Sequence, residues 1–294
     1  MPDDDPDAAW DHPNRPFPPP GDRPWVMFMR WLDLAFLHWP VDRRKLRPLI
    51  PPQLELETFE GTAWLGVVPF VMTATRPRLA PPVPGLSTFP GLNVRTYVSH
   101  GKGDARRPGI WFFSLDAAST LAVHGARATY HLPYYRARMR ATRAPRGKDN
   151  DAIDYESTRR STSLATGGAT WLDARGPNRP AIDVRGDDGK DHNALRATFA
   201  ARYGPTGRVY RADPGTLDYW LTERYCLYAA DARGRVYRGD IHHPPWPLQR
   251  AEIEIARNTM TAPLGLALPD TAPLAHFARR QDVRAWWRVR VDGD

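Results

Sequence analysis

The 294-residue chain is 41% hydrophobic, 25% charged and 11% aromatic, which suits one large domain with a sizeable core and excludes disorder throughout. Its net charge is +8, and of 41 basic residues four are lysine (Lys45, Lys102, Lys148, Lys190), leaving 37 arginines scattered along the chain. With no concentrated basic stripe, zinc finger, basic-zipper heptad or RNP-type motif, no specific nucleic-acid partner is expected.

One cysteine, Cys226, excludes a disulfide framework and any Cys-rich metal centre. The start Met1-Pro2-Asp3-Asp4-Asp5 is acidic where a secretory signal would be basic and then apolar. The longest strongly apolar run, Trp64 to Met72, is too short to cross a bilayer. The expectation is a soluble, cytoplasmic protein with no membrane partner.

Residues 1–23 carry prolines 2, 6, 13, 16, 18, 19 and 20 among Asp, Asn and Arg, and read as a flexible tail. Residues 24–294 read as a single domain. Strands are expected at 25–39 and 61–75, rich in aromatic and β-branched residues between polar ends. Asp42 caps a short helix bearing Leu46 and Leu49, which Pro51 stops. In Leu92–Val98, Asn93, Arg95 and Tyr97 alternate with Val94, Thr96 and Val98. Gly109–Ala117 sets Trp111, Phe113 and Leu115 opposite Ile110, Phe112, Ser114 and Asp116. Ser119 caps a second helix with Leu121, Gly125 and Ala128 on its packing face. A strand at 130–140 precedes an irregular insertion near 161–193, marked by Gly167-Gly168 and Gly186-Asp187-Asp188-Gly189. After a strand at 195–203, Asp213-Pro214 opens a third helix with Leu217, Trp220 and Leu221 at helical spacing. Strands follow at 223–230, 235–242, 249–257 and 281–291. About ten strands with three short helices give a β-dominated α+β class, a curled antiparallel sheet or barrel.

The chain has no G-x-G-x-x-G, Walker loop, H-E-x-x-H or G-x-S-x-G, so no nucleotide cofactor, zincin or serine-hydrolase reading stands, and no cofactor is expected. His242 and His243 are adjacent on a strand and point to opposite faces, so no metal site is assigned to them. Asn93, Arg95 and Tyr97 present a carboxamide, a guanidinium and a phenol on one face. If that face is interior, Arg95 can hold a carboxylate bidentately; if it meets water, it is an ordinary amphipathic strand. Glu223 and Tyr225 share a face after the third helix, and a Glu buried near Arg224 can act as acid or base or form a structural pair. His38 lies among large apolar residues, where a catalytic or a core role is open. Trp64, Trp111, Trp246 and the pair Tyr134-Tyr135 can floor a pocket or simply fill a core.

Several ordered segments resemble one family: His38-Trp39-Pro40-Val41-Asp42, Leu46 to Pro51, Ala63 to Phe70, Leu92 to Val98, Gly109 to Ala117, Tyr130 to Tyr134, Leu221 to Tyr228 and Ile241 to Leu248. The chain is identified as similar to the YqjF-like family, a bacterial family of unknown function, from about Pro24 to Val291. The resemblance implies an acetoacetate decarboxylase-like fold, a cone-shaped antiparallel barrel around a small polar cavity. Decarboxylases of that fold act through a Schiff-base lysine, for which paired lysines follow an Ala-Tyr-Pro-like step. Here His131, Leu132 and Pro133 stand in that place, and Leu65-Gly66 replaces an expected Glu. No imine can form at those positions, so imine-forming decarboxylation is not expected.

The sequence therefore points to a small-molecule-binding barrel acting on a carboxylate or keto-type metabolite without a Schiff-base lysine; the alternative is a non-catalytic binding or sensing module. Candidate acid–base groups are Glu223, His38 and His131. Candidate ligand contacts are Arg95, Asn93, Tyr97, Trp64, Trp111 and Tyr225. Self-association is left open.

Overall fold

The computed structural model describes residue 10 and residues 15–83, 87–119, 129–143, 151–160 and 197–291. Among these residues thirteen strands form one sheet: β1 (Met27–Val41), β2 (Glu55–Leu56), β3 (Ala63–Pro77), β4 (Phe89–His100), β5 (Arg107–Ala117), β6 (Tyr134–Arg143), β7 (Ile153–Arg159), β8 (Thr198–Tyr210), β9 (Cys226–Ala230), β10 (Val236–His242), β11 (Leu248–Asn258), β12 (Leu274–Ala285) and β13 (Val289–Arg290). The strand order is β13-β10-β9-β5-β6-β7-β8-β11-β12-β1-β3-β4-β2, and β4 also pairs with β5 and β10 with β12. The sheet thus curls until its pairings return on themselves, without making a regular barrel. All pairings are antiparallel except those of β5 with β6 and with β9.

Strands β1, β3 and β4 explain why the sequence looks so evenly apolar. Leu34 to Trp39 are all buried, as are Leu65 to Phe70 and Gly91 to Ser99. A strand covered on both faces reads as a continuous apolar run rather than an alternation. On one face Leu37, Trp39, Leu65, Val67, Val94 and Val98 join Tyr155, Phe199, Tyr203 and Phe277 in the main core. On the other, Phe36, Val68 and Phe70 pack with Trp246 and Leu248 in a second cluster. Where only one face is covered, alternation is plain: β7 buries Ile153, Tyr155 and Ser157 and exposes Asp154 and Glu156.

Helix α1 (Arg43–Leu46) starts where expected, with the Asp42 carboxylate accepting Arg44 N–H at 2.8 Å. A 3-10 turn, Arg47–Leu49, continues it to Ile50. Helix α2 (Leu217–Thr222) begins later than the Asp213-Pro214 signal, because Thr216 supplies the cap, its hydroxyl accepting Tyr219 N–H. The expected helix after Ser119 and the insertion near 161–193 lie outside the described residues.

Two further expectations need correction. The flexible tail expected at 1–23 does not hold for Arg15 to Arg23: Phe17 is 7% exposed in the main core, and the Arg15 guanidinium lies 4.2 Å over the Tyr225 ring. One buried aromatic and one cation–π contact anchor a stretch whose composition alone reads as tail. The alternation expected in β5 also breaks. Val94 pairs with Ser114 but Arg95 pairs with Phe112, so Phe113 is an extra residue, a β-bulge. Trp111 and Phe113 therefore face the main core, while Leu115 turns to the other side and packs with Leu132 and Ala229.

Candidate functional site

The site is built as three cross-strand rows on the second face of β1, β3 and β4. Pro40 pairs with Trp64, and Tyr97 lies across β3 beside Trp64. His38 pairs with Gly66, which pairs with Arg95. Val68 pairs with Asn93, level with Phe36. β4 carries no bulge of its own, so Asn93, Arg95 and Tyr97 keep the shared face that their spacing indicated. Gly66 matters here because a Cβ at its position would lie 3.2 Å from Nε2 of His38 and 3.3 Å from Cγ of Arg95. The missing side chain lets the imidazole and the arginine stem approach each other.

Segments from the other half of the chain cover this face. Tyr97 Oη donates to the carbonyl of Leu221 at 2.7 Å and lies 2.6 Å from Nε2 of His38. Arg95 Nη2 donates to the same carbonyl at 3.3 Å, and its guanidinium sits 5.1 Å over the Phe36 ring. Trp246 meets Phe36 edge-on at 4.8 Å and stacks on Trp31 at 5.8 Å. His38 is fully buried and Arg95 is 6% exposed. Burial, then the charges of Arg95 and His276, holds the His38 imidazole well below its ordinary value, so it stays neutral. Burial likewise raises the Tyr97 phenol, against the pull of Arg95 and Arg224.

Buried polar atoms on and over this face without a hydrogen-bond partner include Nδ1 of His38, Oδ1 of Asn93, Nε of Arg95, Nε1 of Trp64, Nδ1 of His276 and Nε1 of Trp246. Such atoms are rare in folded proteins and each is costly. No ion pair to Arg95 is formed among the described residues. The contrast with Arg224 is instructive: it is equally buried but is matched by Glu57 at 2.5 Å, which Arg106 also holds at 2.7 Å.

Glu223 and Tyr225 lie behind the covering segment. The Glu223 carboxylate accepts Tyr225 Oη–H at 2.5 Å and Trp246 N–H at 2.8 Å, tying the α2–β9 junction to the strand-free stretch before β11. Tyr225 stacks on His243 at 4.5 Å, and His242 turns instead toward Arg15, Trp10 and Trp286. Glu223 is two residues from the Leu221 carbonyl that Arg95 and Tyr97 share, and Trp246 links it to Phe36.

Trp111 is 3% exposed in the main core, on the opposite face from Arg95. His131 has φ of 55° and packs on Tyr237 at 5.0 Å, its Nε2 accepting from Arg288 at 3.0 Å, away from the Arg95 face. Burial and the Arg288 charge lower its basicity.

One residue on the face was missed from sequence: His276 of β12, fully buried and paired across the strands with Phe36. Its Nε2 lies 2.9 Å from Asp218 Oδ1, and Asp218 also holds Tyr210 at 2.8 Å and Arg250 at 2.9 Å. The signal available was a single polar residue inside the apolar run Leu274–Ala278. Among the described residues no group of three or more His, Cys, Asp or Glu is placed to hold a metal ion. No helix among them is long and apolar enough to cross a membrane. Both described lysines, Lys45 and Lys102, are exposed.

The curled sheet is the acetoacetate decarboxylase-like fold. The chain is similar to acetoacetate decarboxylase from Legionella pneumophila with a TM-score of 0.54 at 11% identity, covering 94% of this chain and 92% of that one. It is similar to the enduracididine biosynthesis enzyme MppR complexed with pyruvate with a TM-score of 0.55 at 10% identity, covering 94% and 92%. At such identity the likeness is one of fold. Within that fold, residues 28–282 match the DUF2071 model, described as an uncharacterized conserved protein, and the chain belongs to that family. It is 44% identical over 262 residues to the uncharacterized protein YqjF of Bacillus subtilis (strain 168), covering 89% of this chain and 91% of the relative.

Proposed function

We propose that the protein binds a small carboxylate metabolite, a 2-oxo or 2-hydroxy acid, between Arg95 and His38, and acts on the carbon beside the carboxylate without a Schiff-base lysine. The observation that carries this reading is Arg95, a guanidinium 6% exposed with no counter-ion among the described residues. An unmatched buried charge costs several kcal/mol, and an anionic ligand offsets that cost. A carboxylate fits the guanidinium fork in two parallel hydrogen bonds. Asn93 and Trp64 flank the clamp and would orient the ligand. His38, neutral and beside Arg95, is the group that takes or returns a proton. Glu223 and Tyr225 act as positioning residues, fixing the segment that carries the Leu221 carbonyl and Trp246. A fold neighbour that holds pyruvate supports the size and class of ligand. The exposed positions of Lys45 and Lys102 support chemistry without an imine.

The test is thermal stability against a panel of small oxo and hydroxy acids at matched salt. A ligand at a hundredfold above its dissociation constant stabilises the fold by about 2.7 kcal/mol. A carboxylate-specific shift that Arg95→Met abolishes is the expected result. A panel without any shift, or a shift unchanged in Arg95→Met, overturns the reading.

A further inference from the structure

Arg95 is 6% exposed and His38 fully buried, so a ligand reaches them only when a covering piece gives way. Two pieces lie over the face: α2, whose Leu221 carbonyl bonds Arg95 and Tyr97, and the stretch 243–247, whose Trp246 meets Phe36. The second has no slack. His242 pairs with Arg284 and Leu248 with Ala278, so the two pairs are equally far apart along both strands. Residues 243–247 therefore run extended beside β12, an interrupted strand that cannot swing away. Glu223 also accepts Trp246 N–H, and Gln281 donates to the Pro244 carbonyl.

Helix α2 is held differently. Arg211 to Tyr225 join ends pinned on Leu248 and Asp240, with roughly twice the chain that an extended path between them needs. Asp213 to Thr216 are exposed, and Gly215, with φ of 86°, supplies a hinge. A six-residue helix does not hold together by itself in water. It leans on the sheet through Asp218, through the Trp220 ring 4.5 Å from that of Tyr97, and through the Leu221 carbonyl. That carbonyl accepts from Tyr97 Oη at 2.7 Å but from Arg95 Nη2 at 3.3 Å, beyond the usual N–H···O range. A neutral carbonyl leaves the buried charge of Arg95 unmatched, and a carboxylate matches it.

We infer that the Leu221 carbonyl occupies the place of a ligand carboxylate oxygen, and that α2 is a self-inhibiting cover. An arriving carboxylate displaces the carbonyl from Arg95 and Tyr97, and Leu217–Thr222 lifts between the Gly215 hinge and a pivot at Glu223, which Tyr225 and Trp246 hold. This deepens the reading proposed above and rests on it.

The experiment is calorimetric titration of full-length wild type and Thr216→Ala with pyruvate and with lactate. Thr216 is exposed and its hydroxyl caps α2 by accepting Tyr219 N–H, so the substitution weakens the closed cover without touching Arg95. Binding is expected to tighten by about fivefold, because apparent affinity scales with the open fraction. Weaker binding in the variant, the mark of a helix that closes on the ligand, or unchanged binding overturns this inference alone. Absence of binding by both acids overturns it together with the reading beneath it. Should Thr216→Ala fail to fold, hydrogen exchange of the wild type decides. Faster exchange over Leu217–Thr222 with saturating pyruvate supports displacement, whereas slower or unchanged exchange overturns it.

Discussion

The His38 imidazole on β1 and the Arg95 stem on β4 meet over Gly66 of β3, where a Cβ would lie 3.1 Å from Cδ2 of His38 and 3.3 Å from Cγ of Arg95. Neither neighbour is free to retreat: His38 is bonded to Tyr97, and Arg95 to the Leu221 carbonyl. Overpacking a dense interior costs about 1–3 kcal/mol. Gly66→Ala is expected to lower stability by that amount in urea unfolding and to weaken stabilisation by carboxylates. Wild-type stability with wild-type ligand response would show that ring and stem yield without cost.

His38 gives a pH dependence with a definite sign. Its folded-state basicity is depressed by burial, then by Arg95 and His276. As pH falls through about 6.5, the unfolded chain takes up a proton that folded His38 does not. The folded state therefore loses stability below that pH, at up to roughly 1.4 kcal/mol per pH unit from this one group. His38→Gln is expected to show a shallower fall between pH 7 and 5 than the wild type in parallel urea titrations. Identical slopes would mean that His38 takes its proton as readily in the fold as outside it.

These two residues also mark how far the sequence could be read. Asn93, Arg95 and Tyr97 were legible as one face because β4 alternates without interruption. The partner strands were harder. Asp33 and Ala74 adopt φ of 49° and 51°, and the β1–β3 register shifts near each. Neither residue type announces a left-handed conformation, so these bulges leave no mark in composition. The bulge at Phe113 likewise moved Trp111 off the Arg95 face. β7 stands among Arg, Asp and Lys residues that hide it, although Ile153, Tyr155 and Ser157 keep a period of two. His276 escaped because the first half of β12 is buried on both faces and shows no alternation. That His38 and Arg95 are neighbours depends on the pairing of three strands, which no single segment encodes.

The pair Asp116–Arg159 is a second buried charge arrangement, matched where Arg95 is not. Arg159 lies 2.7 Å from the Asp116 carboxylate, with side chains 4% and 0% exposed, and its guanidinium sits 4.0 Å over Tyr135. Burial raises the Asp116 carboxyl and Arg159 opposes the rise. Arg159→Met leaves a buried carboxylate unmatched and is expected to cost about 3–5 kcal/mol near neutral pH. The deficit should shrink on acidification, as Asp116 takes a proton in the fold before the unfolded chain does. The double variant Asp116→Asn, Arg159→Met should recover much of the loss. A deficit independent of pH would assign the effect to packing on Tyr135 instead.

Asp218 predicts the opposite behaviour at lower pH. Burial pushes its carboxyl up, but hydrogen bonds from His276 and Tyr210 and the charges of His276 and Arg250 outweigh this and hold it at about 2. A carboxylate depressed in the fold contributes stability that is complete above its unfolded value near 4 and disappears as pH falls toward 2. The contribution is roughly 2 kcal/mol, lost within that window. Asp218→Asn is expected to be less stable than the wild type at pH 6 by about that amount, and the two unfolding curves should converge by pH 2. Because Asp218 opens α2 and Leu221 near its end accepts from Tyr97 and Arg95, the same substitution should also loosen the carbonyl over the Arg95 face. A variant that matches the wild type at pH 6, in both stability and carboxylate response, would separate the Asp218–His276 pair from the site.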